Sequence, residues 1–398
     1  MFNIYRNAFE QTNISHFWGG ETRVRVWDDY TLLLYFFLVV VVVVICVYIE
    51  KHKSYLKKMP KRKIIPRKQL LFYPLGLLLF FMGLRGLWVG MDTIVYSQTF
   101  ESATSLHYVF EESSTEPLYK LLQFLLRCFF SDCHLIIFLY SALIIYFVGI
   151  TFFRYFEQIN ISIAMSAFVC IYYFQSFNLL RISVAATFIF SQIHLLLDNR
   201  FKKFSLIILF ATFFHFSSIV AFMPFCIYLL YRKNKTLALF VLLVIAIIVI
   251  FATHFLGDYI MLFERYSGYI TDNESSRTIG FALFLDYFPC LCGIYYIFKK
   301  KLSGTWSNLY VCYTLSALVV RLLSYFISAA GRLYFHFMPV TMLFLPYWLT
   351  YLKKRNRKLY KPMLLISFVW LIVRLHLYFV GYLSADGIMP YYFFWNEK

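Results

Sequence analysis

Apolar runs of membrane-crossing length alternate with short basic or mixed polar stretches from residue 31 to residue 381. A bilayer core is crossed by about 20 helical residues. The runs at 31–49, 70–89, 134–153, 161–178, 181–197, 236–255, 279–298, 308–328, 332–352 and 361–381 fit that length. One further apolar stretch, 204–231, does not: its 28 residues are flanked on both sides by basic clusters, yet two full crossings need about 40. It predicts a re-entrant pair of half-helices or a tilted hairpin, broken around His215-Phe216-Ser217-Ser218 and again at Pro224. A single kinked span is the alternative. Irregular backbone at membrane depth is tolerated only against protein or a water-filled cavity, so the neighbourhood of His215 is a cavity candidate. The expected fold class is all-α, a polytopic integral membrane protein with about 11 membrane segments including this broken helix.

Composition strengthens that reading. Of 398 residues, 61% are hydrophobic, 22% aromatic and only 15% charged, and the mean hydropathy is +0.67. Soluble domains carry about 25% charged residues, so a water-soluble enzyme is excluded. The 38 Lys and Arg against 20 Asp and Glu give +18, but clusters alternating with spans argue against a nucleic-acid binder. They set sidedness instead, because Lys and Arg near spans are retained in the cytoplasm. Nine lie in 50–69 and six in 353–361, with smaller clusters at Arg200/Lys202/Lys203, Arg232/Lys233/Lys235 and Lys299/Lys300/Lys301. Under this topology the cytoplasmic loops sum to +22 and the remainder to −4. The domain organisation expected is an extracytoplasmic segment 1–30, a transmembrane domain 31–381 with the basic loop 50–69 inside and loops 90–133 and 256–278 outside, and an extracytoplasmic tail 382–398. No cleavable signal peptide is expected, since Thr31 to Ile49 is long for a signal core. Of eight cysteines, most lie in apolar runs and none shows zinc-site spacing, so neither metal nor cofactor is expected.

Ionisable residues inside spans are costly and mark function by default. Asp286, Arg321 and Arg374 each sit about seven residues, roughly 10 Å, from the outer end of their span. Arg85 is slightly shallower, and Arg181 and Arg332 lie at the outer mouth. Asp286 can neutralise Arg321 or Arg374 as a structural ion pair, but not all of these cations. Several guanidinium groups on an outward pocket suit a diphosphate or acidic sugar, whose oxygens they match bidentately. In the first outer loop Asp92 and Tyr96 are four apart, on one helical face. Glu116-Pro117 reads either as a helix start, with proline in the first turn and an acid at the positive end, or as part of a carbohydrate site with neighbouring Tyr, Trp and Asp.

The ordered motifs Gly-x-Arg-Gly…Gly-x-Asp-x-x-x-Tyr (83–96), Glu-Pro-x-Tyr (116–119), Asn-x-x-Arg-x-x-x-Ala (178–185), Phe-His-x-Ser (214–217) with Pro224, Glu-Arg-Tyr-x-x-Tyr (264–269) and Arg-x-Tyr-Phe (332–335) resemble the EpsG family, which is grouped with Wzy-type polymerases of bacterial exopolysaccharide, capsule and O-antigen. The resemblance covers roughly residues 70–350. It implies a GT-C-like membrane fold and a multi-pass glycosyltransferase of the bacterial plasma membrane, inverting and metal-free, with its active site facing outward. The donor would be a glycan on undecaprenyl diphosphate and the acceptor the terminal sugar of another lipid-linked repeat unit. Implied partners are that lipid-linked oligosaccharide, the bilayer, and the flippase and chain-length regulator of the same pathway, with no nucleic acid.

Such a transfer needs a base for the acceptor hydroxyl, cations for the departing diphosphate and groups that align both sugars. Base candidates are His215, Asp92 and Glu116. His215 can equally be a satisfied core histidine, and Asp92 a sugar-orienting group. Diphosphate candidates are Arg181 and Arg332, then Arg265 and Arg85, with Arg265 open to pairing with Glu264 instead. Sugar-binding candidates are Tyr96, Tyr119 and Tyr266. Competing classes are a lipid-linked oligosaccharide flippase or other transporter, expected to show two similar halves, and a membrane O-acyltransferase, expected to pair a histidine and an acid near a cytoplasmic acyl donor.

Overall fold

The computed structural model describes residues 3–12, 16–18, 21–23, 26–55, 67–110, 115–255, 282–326 and 330–396. The expected loop 256–278 with Arg265 and Tyr266, residues 56–66 of the basic loop and the Asp286 side chain lie outside the described residues. The chain opens with helix α1 (Asn3–Thr12) and two three-residue antiparallel strands, β1 (His16–Trp18) and β2 (Glu21–Arg23). Beyond them the described chain is helices and turns. Asp28 starts α2 (Asp29–Tyr55), its carboxylate accepting from the Tyr30 N–H at 3.2 Å and the Thr31 N–H at 3.0 Å. The 27 residues of this helix reach about 40 Å at 1.5 Å per residue.

The span expected at 70–89 is shorter. After a 3-10 turn at Arg67–Leu71, α3 (Phe72–Gly83) stops at Gly83. The chain then leaves the helix and pairs with the C-terminal tail: Gly86 N–H donates to the Tyr392 carbonyl at 2.9 Å and Phe394 N–H to the Leu84 carbonyl at 3.0 Å. Helices α4 (Thr93–Ser102), α5 (Leu106–Phe110) and α6 (Pro117–Arg127) make up most of the loop expected at 90–133, and α7 (His134–Tyr155) comes next. Asn160 caps α8 (Ile161–Ala167), its side chain accepting from the Ile163 N–H at 3.1 Å. That helix continues through a π-helical turn, Phe168–Tyr173, into α9 (Gln175–Asn178). Every residue from Ile161 to Tyr173 is buried. A segment apolar on all sides can be buried on all sides.

Beyond it lie α10 (Leu180–Ser191), α11 (His194–Leu197), α12 (Phe201–Phe214), a 3-10 segment Phe216–Ala221, α13 (Phe222–Lys233) and α14 (Lys235–Phe255). The stretch expected to double back does so. Phe204 lies 5.5 Å from Phe225 between ring centroids, Arg232 sits 5.0 Å over the Phe201 ring, and Arg232 donates to Asn199 at 2.7 Å. The arms α12 and α13 are therefore antiparallel, and the break falls at His215, whose backbone is extended at φ −153° and ψ 115°; the second break expected at Pro224 is not there, since that proline lies in the first turn of α13, where a missing N–H is tolerated. The remaining helices are α15 (Ala282–Lys299), α16 (Thr305–Phe326), α17 (Ala330–Tyr334), α18 (Met338–Arg355) and α19 (Arg357–Tyr382). The run read as one span at 332–352 is thus interrupted between Tyr334 and Met338.

Four described helices, Asp29–Lys53, His134–Tyr155, Leu180–Leu197 and Arg357–Tyr382, are long and apolar enough to cross a membrane. α2 and α19 bear exposed apolar stripes, Phe37, Val40 and Val44 on one, Leu365, Val369 and Ile372 on the other. Such stripes at helical spacing suit a hydrocarbon surround rather than water. The polar connections segregate to the two ends of the bundle. At one end Lys53 donates to the Ile159 carbonyl at 2.8 Å and Glu50 accepts from the Ile161 N–H at 2.9 Å. At the other, Thr31 accepts from the Tyr391 N–H at 2.8 Å, beside the loop that carries Asp92.

Candidate active site

Three elements far apart in sequence meet at Glu116. This residue is the N-cap of α6, ahead of Pro117, yet its carboxylate makes no capping hydrogen bond. Instead Oε2 accepts from Arg181 Nη1 at 2.8 Å, while Oε1 lies 2.7 Å from His215 Nδ1 and accepts from the Phe216 N–H at 3.1 Å. The two sequence readings of Glu116 are thereby separated: Pro117 begins the helix, and the carboxylate is freed to join α10 and the α12 break. Burial alone would raise the Glu116 carboxyl, but the His215 hydrogen bond and the Arg181 charge hold it down at about 2. It is ionised at neutral pH.

Arg181 sits in the first turn of α10, where the positive end of a helix disfavours a cation. Glu116 offsets that cost. Two rings support the guanidinium from below, Tyr119 at 4.6 Å and Tyr96 at 5.8 Å from their centroids. The Glu116 side chain is 3% exposed, whereas Arg181 is 26% and His215 18% exposed. A buried carboxylate therefore anchors one cation and one imidazole, and both retain an open face.

The tyrosines expected at a sugar, Tyr96 and Tyr119, are 5% and 1% exposed; Tyr96 donates to the Asn178 carbonyl at 3.3 Å, and both rings lie against the Arg181 guanidinium. Arg85, expected at the diphosphate, lies inside the fold. It is fully buried, donating to the carbonyls of Val89 at 3.0 Å and Phe177 at 2.8 Å and also to that of Met82, with its guanidinium 4.8 Å over the Phe177 ring. Breaking α3 at Gly83 leaves carbonyls that need donors, and Arg85 supplies them. These contacts tie the turn together.

Asp92 is placed by the same turn. Gly90, at φ +105°, lies so close to Phe177 that a Cβ there would come within 2.8 Å of the Phe177 carbonyl oxygen. The Asp92 N–H then donates to Asn178 Oδ1 at 2.8 Å. Burial raises the Asp92 carboxyl, and the charges of Arg332 and Arg181 oppose the rise, which puts all three in one electrostatic neighbourhood. Arg332, in α17, is exposed. Arg321 stands 5.0 Å over the Tyr334 ring of the same short helix.

Two contributors escaped the sequence reading. Asp386, in the tail, accepts from Asn178 Nδ2 at 3.3 Å and from the Tyr378 hydroxyl at 2.7 Å. Burial, reinforced by the Asp92 charge, lifts its carboxyl to about 7 despite those hydrogen bonds. Its carbonyl receives the Met91 N–H at 3.0 Å, so Asn178 and the tail together clamp the Asp92 loop. The second is His336, one residue past the Arg332–Phe335 motif. Its Nε2 is 2.7 Å from Ser217 Oγ, and its ring stacks at 6.4 Å from His215. Among the described residues its Nδ1 has no hydrogen-bond partner, and it borders a cavity of about 20 Å³ with Tyr313 and Pro224. His336 carried a signal, since it adjoins a motif. Asp386 carried only its place on the acidic side of the chain.

Among the described residues, one group could hold a metal ion, Asp132, Cys133 and His134, with ligand atoms within 4.8 Å of one another. Asp132 Oδ1 already accepts from the His134 N–H and lies 2.9 Å from its Nδ1, a turn that starts α7.

No curated protein and no solved structure matches this chain in overall comparison. The model of the EpsG family matches residues 68–393, a range that begins at the end of the basic loop and extends past the 350 limit of the motifs to include Asp386. That match covers most of the chain, which therefore belongs to the EpsG family, a Wzy-type polymerase-like family.

Proposed function

We propose that this protein is a polysaccharide polymerase of the plasma membrane, with a GT-C-like arrangement and a site on the outer face. It transfers a glycan from undecaprenyl diphosphate to the terminal sugar of another lipid-linked repeat unit. The observation that carries this reading is the Glu116 carboxylate shared between Arg181 and His215. Because Glu116 is ionised it can only accept hydrogen bonds, so His215 Nδ1 carries a proton, and in the neutral imidazole that leaves the lone pair on Nε2. A carboxylate that fixes the tautomer and orientation of a histidine makes it a general base.

In the transfer, His215 Nε2 takes the proton of the acceptor hydroxyl as its oxygen bonds to the anomeric carbon. The bond from that carbon to the diphosphate oxygen breaks from the opposite face, inverting the centre. The electron pair leaves with the diphosphate, whose charge is met by Arg181 and Arg332. Asp92, beside both arginines, orients sugar hydroxyls. The outer-end crowding of ionisable groups favours this over a transporter, which would line a path through the midplane. Arg265 and Tyr266 remain candidate contributors from the loop 256–278.

The test is reconstitution of purified protein in liposomes with a lipid-linked repeat unit. The expected result is elongated glycan together with free undecaprenyl diphosphate, lost in His215→Ala. Transbilayer movement of the lipid-linked unit without elongation would overturn the proposal.

A further inference from the structure

An apolar groove begins within one helical turn of the cluster of Arg181, Glu116 and His215. This groove, of about 220 Å³, lies between α6, α7, α10 and α12. Three of these elements also supply the cluster, within one turn: Leu118 lies two residues past Glu116, Ala185 four past Arg181, and Phe214 directly before His215. Phe147 and Phe188 line it further down. From Arg181 to Phe188 the groove follows α10 for roughly 10 Å. Every lining side chain is apolar, and α7 and α10 belong to stretches of membrane-crossing length. Ala185 and Ala211, both on the walls, leave room that a longer side chain would fill.

The geometry points to this groove as the seat of the polyprenyl tail, with the diphosphate at Arg181. The inference rests on the lipid-diphosphate reading above and adds where the lipid lies. A prenyl diphosphate needs a cation at the membrane boundary and then only hydrocarbon, and the elements that carry Arg181 and His215 provide that order. A second apolar groove, of about 370 Å³, runs between α3 and α7 past Gly76 and Gly149. It is larger, but none of Glu116, Arg181 and His215 adjoins its lining, and a Cβ added at Gly76 meets nothing within 4 Å. It is the natural control.

Each methylene excluded from an apolar site weakens binding about fourfold, so blocking two or more costs over about tenfold. The experiment is calorimetric titration of the purified protein in detergent with farnesyl diphosphate and, separately, with inorganic diphosphate. Ala185→Leu and Leu122→Trp, the latter at a half-buried lining position, are expected to weaken farnesyl diphosphate binding at least about tenfold while leaving inorganic diphosphate binding unchanged. Gly76→Leu is expected to change neither. Melting temperature establishes folding, and Leu122→Trp stands where Ala185→Leu fails to fold. Wild-type farnesyl diphosphate affinity in a folded groove variant, or an equal loss in Gly76→Leu, overturns the assignment. Arg181→Ala separates the two levels: unchanged inorganic diphosphate binding there refutes the leaving-group site itself, whereas failure of the groove variants alone refutes only the seat of the tail.

Discussion

Glu116→Gln replaces one carboxylate oxygen with an amide nitrogen, and the surrounding geometry fixes the consequences. The native group accepts from Arg181 Nη1, His215 Nδ1 and the Phe216 N–H, at 3% side-chain exposure. An amide has a single acceptor oxygen. If that oxygen faces His215 and Phe216, the NH2 group confronts Arg181, and the guanidinium loses its counter-charge. If it is turned over, the NH2 group faces Nδ1, the imidazole must carry its proton on Nε2, and the base is lost. Hydrogen bonds to charged groups contribute about 1.5–3 kcal/mol, and stranding one partner of a buried pair costs about 3–5 kcal/mol. Arg181 and His215 are 26% and 18% exposed, so solvent recovers part, and the expected destabilisation is about 2–3 kcal/mol. Loss of a correctly oriented base costs about 10² to 10⁴ in rate. Polymer length and yield from reconstituted protein measure the rate, and the melting temperature of detergent-solubilised protein measures stability. Elongation of glycan at the wild-type rate by the Glu116→Gln variant would refute this role for the carboxylate. Glu116 also has a pH signature. Its folded value of about 2 lies below the ordinary 4.5, so its stabilisation is complete above about pH 4.5 and is lost as pH falls toward 2.

Arg85→Ala is expected to lower accumulation of folded protein sharply, since the Phe177 carbonyl loses its guanidinium donor and those of Val89 and Met82 keep only the Thr93 and Ser141 hydroxyls; a well-folded, fully active Arg85→Ala variant would restore a ligand role to the native arginine. For Asp386 the sign is opposite to that of Glu116. Its folded value of about 7 lies above the ordinary 3.8, so its contribution is greatest below about pH 4 and declines as pH rises toward 7. Asp386→Asn should flatten the fall in melting temperature across that range, and an unchanged slope would sink that assignment. Truncation after Leu383 removes Asp386 and the Gly86–Tyr392 and Leu84–Phe394 pairings. It should abolish polymer by releasing the Asp92 loop, and normal ladders from the truncated chain would show that the tail clamps nothing of consequence.

Much of this arrangement is legible in the sequence because each signal is local. Basic clusters on both flanks of 204–231 point to a hairpin rather than one span, and the arms α12 and α13 are antiparallel. Glu116, Arg181 and His215 each stood out by motif or by cost. Their convergence could not be read, since His215 lies 99 residues and Arg181 65 residues from Glu116, and only packing brings α6, α10 and the α12 break together. The surroundings of Arg85 were not legible for a physical reason. A guanidinium that serves a ligand and one that satisfies a broken helix end look alike until the break after Gly83 is seen. The contacts of Tyr96 and Tyr119 with Arg181 were hidden similarly, because an interfacial tyrosine and a cation–π support share one residue type. Asp386 was missed because its partner, Asn178, lies 208 residues away.

Outward polymerisation at Arg181 is tested most directly by deleting the gene, complementing with wild type or Arg181→Ala, and locating the lipid-linked products. The expected result is single repeat units on the outer leaflet and no ladder in the deletion strain, full ladders with wild type, and none with a normally expressed Arg181→Ala variant. Accumulation of those units on the inner leaflet, or wild-type ladders from the Arg181→Ala variant, would contradict it.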